Sequence, residues 1–281
     1  MMQKAAISAG KIVLYFISVG LIVAGLMEFV LPALKAATTM LAALPQMVIL
    51  GVVNFIAMSV PAMVLMAAID GKSPMAMGFS PQGGLGDFLT GSVVGGFIFL
   101  SAVAAAFFGG FASFNPDFAK FSMTAMMAST LGMTLAAAGE EIMMRGYVLQ
   151  ELMSKFSTAT SVIVSSLLFT VLHGAQLVQS DMAAVGALNI FLASVLLSLA
   201  YLATRTLWLP IGIHAGWNVM QGPVLGINVS GTDMATSWQP VTLSGPDMMT
   251  GGAFGLEASV LGLIGPTLGI AMMFAMRRRS T

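Results

Sequence analysis

The chain has 281 residues, of which 58% are hydrophobic and only 8% charged, with mean hydropathy +0.95. A soluble domain carries about 25% charged residues, so this composition describes an integral membrane protein. Formal charge is zero, which leaves no electrostatic footprint for nucleic acid; the absence of cysteine excludes disulfides, thiolate metal ligands and a cysteine nucleophile.

Apolar runs of about 20 residues mark spanning helices, and roughly eight are expected on that length rule. They fall near 12–32, 45–69, 86–109, 122–151, 159–179, 184–204, 207–227 and 256–276. The first is longer than a signal-peptide core and lacks a small-residue cleavage site, so it reads as a helix. The expected architecture is all-α, a polytopic bundle forming one integral membrane domain over 1–281. The 25 methionines read as packing and lipid contact. Residues 70–85 are rich in turn formers. Residues 228–255, the longest polar stretch, read as a connecting loop rather than a lid or a partner-binding segment.

Charge sets the orientation. With the N-terminus inside, Lys4, Lys11, Lys72, Arg145, Lys155, Arg205 and Arg277, Arg278 and Arg279 fall on the cytoplasmic side, against Lys35 and Lys120 outside. This positive-inside bias fits an even number of spans with both termini cytoplasmic. Tyr15, Tyr147, Tyr201 and Trp208 are then expected near the cytoplasmic interface. The composition looks bacterial, so the expected location is the bacterial inner membrane.

Ionisable groups at membrane depth cost several kcal/mol and usually face a polar cavity that serves a function. Three such sites stand out: Glu140 and Glu141, followed by Arg145; His173; and His214, followed by Asn218. His173 and His214 are the only two histidines. Adjacent helical carboxylates diverge by about 100°. Glu141 can pair with Arg145 at i,i+4, with the guanidinium extending toward the interface, and Glu140 is left to face the bundle interior as a general base. Counted from Lys155 and residue 159, Glu140 and His173 lie about 22 and 21 Å inward at helical rise. His214 lies about 13 Å in from Arg205 on the same scale. His214 and Asn218 share a helix face and could donate to one oxyanion. Glu140, His173 and His214 are also a carboxylate and two imidazoles, a ligand set known in catalytic zinc sites, although no His-Glu-x-x-His helix occurs in the sequence.

These three elements, Glu140-Glu141-x-x-x-Arg145, Phe169-x-x-x-His173 and His214-x-x-x-Asn218, resemble the motifs of the CAAX-protease and bacteriocin-processing family. This is the family of glutamic intramembrane endopeptidases that includes the type II CAAX prenyl endopeptidases. The similarity covers about half the chain, residues 125–270, and Met144 departs from it where many members carry an aromatic residue. The resemblance implies an eight-helix fold with an intramembrane active-site cavity. It implies that Glu140 and His173 activate a water, that His214 and Asn218 stabilise the oxyanion, and that Glu141 and Arg145 support the site. No cofactor and no metal are implied. The implied partners are membrane lipid and a peptide or membrane-protein substrate. The competing expectation is a noncatalytic immunity or scaffold protein that binds a partner through the same cavity.

Overall fold

The computed structural model describes residues 2–33, 46–81, 83–233 and 238–278. Lys35 and Arg279, both used to orient the chain, lie outside the described residues. The chain is helical. In order come α1 (Met2–Gly25), α2 (Gln46–Ala68), α3 (Gly84–Phe108) and α4 (Met123–Glu141). A π-helical segment, Ile142–Val148, joins α4 to α5 (Leu149–Met153) in one run. Then follow α6 (Thr158–Leu172), the single turn α7 (Gly174–Leu177), α8 (Ala183–Thr204) and α9 (Trp208–Val219). A last π segment, Met220–Val224, leads to the short α10 (Asp247–Thr250) and to α11 (Ile264–Arg278).

Among the described residues, four helical stretches are long and apolar enough to cross a membrane: Ala6–Ala33, Gln46–Ala68, Gly84–Phe108 and Ala183–Thr204. Large apolar side chains such as Leu21, Phe29, Val93, Phe108 and Val171 are exposed on α1, α3, α6 and the helical turn after α1. Such a surface suits lipid rather than water.

The expected span 159–179 breaks at His173, which leaves helical geometry. The expected span 256–276 begins only at Ile264, because Leu256–Ala258 forms a 3₁₀ turn instead. The all-α expectation also omits a small antiparallel ribbon, β1 (Ala112–Phe114) against β2 (Val241–Leu243), with Ser113 opposite Thr242. Tyr15, Tyr147 and Tyr201 are buried within the protein, Tyr15 packs against Tyr147, and the Tyr15 hydroxyl donates to the Met58 carbonyl at 2.7 Å.

Two glycine seams set the helix spacing. Gly91 and Gly95 on α3 meet Gly212 and Gly216 on α9, so that two small-xxx-small motifs face each other. A Cβ at Gly95 would overlap the Ile213 carbonyl, and one at Gly212 would overlap the Phe88 carbonyl. Gly51 on α2 and Gly132 on α4 repeat this arrangement. Lipid supplies no hydrophobic drive between helices, so close backbone approach through small residues is what holds them together. The seams fix α4, which carries Glu140, and α9, which carries His214 and Asn218. α1 is attached differently: Ser8 Oγ donates to Glu151 Oε1 at 2.5 Å, and Lys11 pairs with Asp70.

Replacing Gly95 by Val should force α3 from α9 and lower unfolding stability in detergent by about 1–3 kcal/mol or more. Gly10→Ala, in open space on α1, should leave stability unchanged. Equal thermal midpoints for the two variants would contradict the close seam.

Candidate active site

The catalytic candidates converge at helix ends and irregularities. Glu140 and Glu141 end α4 where the helix widens into the π segment, a distortion that recurs at functional sites. His173 caps α6, where the last carbonyls lack helical partners; its Nδ1 lies 2.9 Å from the Phe169 carbonyl. A carbonyl can only accept, so Nδ1 carries a proton, and in the neutral tautomer of this ring the lone pair is on Nε2. His214 and Asn218 lie one turn apart on α9.

Glu140, His173, His214 and Asn218 all line one cavity of about 200 Å³. The cavity has room for several waters or a peptide group, since a water needs about 10–15 Å³ of such space. Its wall also carries Asn54 from α2 and Gln176 from α7. The expectation that the two glutamates serve different roles has a geometric basis. Both reach the His214 ring, but from opposite sides. Glu141 Oε1 accepts from Nδ1 at 2.9 Å, whereas Glu140 Oε2 lies 3.8 Å from Nε2. Glu141 is fully buried, whereas the Glu140 side chain keeps 21% exposure, toward the cavity it lines.

Arg145 pairs with Glu141 at 2.9 Å as its spacing predicts, but it does not extend toward an interface. It is 1% exposed, and Nη2 donates to the Ser194 carbonyl at 2.7 Å and hydroxyl at 2.8 Å. Its guanidinium also sits 5.2 Å from the centre of the Phe169 ring. Snorkelling loses here because four partners inside the bundle satisfy a charge that would otherwise seek water. Phe169 in turn contacts both histidine rings, with centroids 4.7 Å from His173 and 6.3 Å from His214.

Sequence reasoning missed Glu257. Its Oε1 accepts from Trp217 Nε1 at 3.0 Å, and its Oε2 accepts from the Ser230 amide at 2.6 Å and hydroxyl at 2.9 Å. This ties the 228–232 segment to α9, and Val229, Ser230 and Thr232 line the cavity. The reading of 228–255 as a plain connecting loop is therefore wrong at its start. Trp217, given no role from sequence, is the crossing point: it also stacks edge-on with Phe99 at 5.2 Å. The signal for Glu257 was present as a single carboxylate inside an apolar run. Among the described residues, no group of three or more His, Cys, Asp and Glu side chains is arranged to hold a metal ion.

Arg145→Met should destabilise the protein by about 3–5 kcal/mol, because it leaves the Glu141 charge buried without its main partner. The double variant with Glu141→Gln should recover much of that loss. Thermal unfolding in detergent is the check, and an unchanged Arg145→Met midpoint would contradict the pairing.

The family comparison covers the same part of the chain. Residues 122–220 match the model for "Type II CAAX prenyl endopeptidase Rce1-like" proteins, a segment that includes Glu140, His173, His214 and Asn218. No curated protein and no solved structure matches the chain. Residues 122–220 of the chain are thus similar to the Rce1-like type II CAAX prenyl endopeptidases, and this match supports the CAAX-protease resemblance read from the motifs.

Proposed function

We propose that this protein is an intramembrane endopeptidase that hydrolyses a peptide bond of a membrane-associated protein or peptide. The observation that carries this reading is the convergence of Glu140, His173, His214 and Asn218 on one cavity. A water held between Glu140 and the free Nε2 of His173 loses a proton to the carboxylate as its oxygen attacks the scissile carbonyl. The carbonyl oxygen becomes an oxyanion that accepts hydrogen bonds from the Asn218 amide and from Nε2–H of the protonated His214 ring. Glu141, bonded to Nδ1, fixes that ring's orientation. Collapse of the tetrahedral intermediate breaks the C–N bond, and the proton held by Glu140 passes to the leaving amine. The products are a carboxylate and an amine, and no acyl-enzyme forms. The site works without a metal in this reading, with water as the nucleophile.

In the membrane, α1, α2, α3, the α4–α5 run, α6, α8, α9 and α11 make the eight spans, with both termini cytoplasmic in a bacterial inner membrane. The orientation rests on the positive-inside bias without Arg145, which is buried in the bundle.

Glu140→Gln keeps the shape of the side chain and removes the base. Protein N- and C-termini compared between membranes of cells carrying wild type or this variant, at matched expression, should differ. Termini dependent on wild type should fall by about 100-fold or more in the variant. They should persist when the purified protein acts in excess chelator. Identical termini would favour a noncatalytic scaffold.

A further inference from the structure

α2 lines the active-site cavity without a part in the chemistry. Four of its residues form that wall, Met47, Leu50, Gly51 and Asn54, and only Asn54 carries a polar side chain. Its direction follows from the helix. Val52, Ile56, Val60 and Val64, one turn apart, are the exposed face of α2 that suits lipid. Asn54 is two residues from both Val52 and Ile56, about 200° round the helix from each, so it points inward. The side chain is half-buried, makes no hydrogen bond among the described residues, and is not one of the polar groups sealed inside the protein. A polar group at membrane depth is costly and usually serves a function. This carboxamide faces the cavity with donors and an acceptor unused.

Its level is set by the packing of α2 on α4. A Cβ at Gly139 would lie 3.2 Å from the Asn54 carbonyl oxygen and 3.0 Å from Phe55 Cα, so Asn54 stands beside Glu140. Both α2 and α9 pack on α4, and the cavity runs past Glu140 from Asn54 to His214 and Asn218. A peptide held there is out of reach of bulk water, so its N–H and C=O groups must each find a partner in the protein. Resting on the endopeptidase reading, we propose that Asn54 binds the substrate backbone. Its carboxamide pairs with the N–H and C=O of one residue, one place outside the two that share the scissile bond. Those two groups point the same way in an extended chain, and the residue lies about 3.4 Å further along it. The contact reads no side chain; it holds the chain extended across Glu140.

The test uses full-length protein in vesicles of phosphatidylethanolamine and phosphatidylglycerol. A randomised library of single-span peptides supplies the probe, the member that wild type cleaves fastest, with the cleaved bond read by mass spectrometry. Asn54→Leu, close in size, should keep the thermal midpoint and raise KM by about 5- to 100-fold, the range that two neutral hydrogen bonds supply. Its kcat should stay within about twofold, as loss of uniform binding requires. The peptide is then remade with each backbone N–H near the cleaved bond replaced in turn by an ester oxygen. At one position the ester should slow wild type by about two- to tenfold and leave Asn54→Leu unaffected. Asn54→Ala carries the same test if Asn54→Leu does not fold. Ester effects equal in wild type and variant at every position overturn the proposal. So does a fall in kcat at constant KM, which would mean that the carboxamide serves Glu140 or the attacking water instead. No cleavage beyond that of Glu140→Gln overturns the endopeptidase reading itself, and the backbone contact with it.

Discussion

One carboxylate oxygen holds the site together. Glu141 Oε1 accepts from both Arg145 and His214 at 2.9 Å inside the bundle. Burying these charges is costly, and their attraction offsets that cost only where geometry and hydrogen bonding are good. Here Nη2 of Arg145 reaches Ser194 on α8, and the guanidinium face meets Phe169 on α6. A single ion pair thus joins α4 and the π segment to α6, α8 and α9. The catalytic candidates Glu140, His173 and His214 sit next to that junction on the same elements.

Precision of this kind needs rigid supports, since a reactive constellation tolerates only about half an ångström of error. The glycine seams supply it. Where Gly95 and Gly212 bring α3 and α9 into backbone contact, no flexible side chain lies between the helices to absorb a shift. The seam of Gly51 and Gly132 does the same for α2 and α4. From the other side, Glu257 clamps the 228–232 segment to Trp217, one residue before Asn218. The cavity is therefore framed by backbone contact on one flank and by a saturated carboxylate on the other.

Much of the site was legible because charge is conspicuous in an apolar sequence. Glu140, His173 and His214 were found that way, Asn218 by its i,i+4 spacing from His214, and the structure brings all four to one cavity; the i,i+4 pairing of Glu141 with Arg145 also follows from spacing. Partners distant in sequence were not legible: Ser194, 49 positions from Arg145, is what keeps the guanidinium inside. Glu257 met the same criterion as the other buried carboxylates but was absorbed into a supposed spanning helix. A 3₁₀ turn there leaves α11 shorter than the apolar run suggested. Periodicity also hides where a helix stops, so the end of α6 at His173 became visible only with the His173 ring seated on the Phe169 carbonyl.

The dependence of His214 on Glu141 is tested most directly by a double-variant cycle on the cleavage rate, using Glu141→Gln, His214→Gln and both together. If Glu141 acts by orienting His214, the losses are strongly non-additive, and the double variant cleaves within about twofold of the slower single variant. Losses that multiply would mean that the two side chains act independently, and would contradict the shared carboxylate as the organising contact of the site.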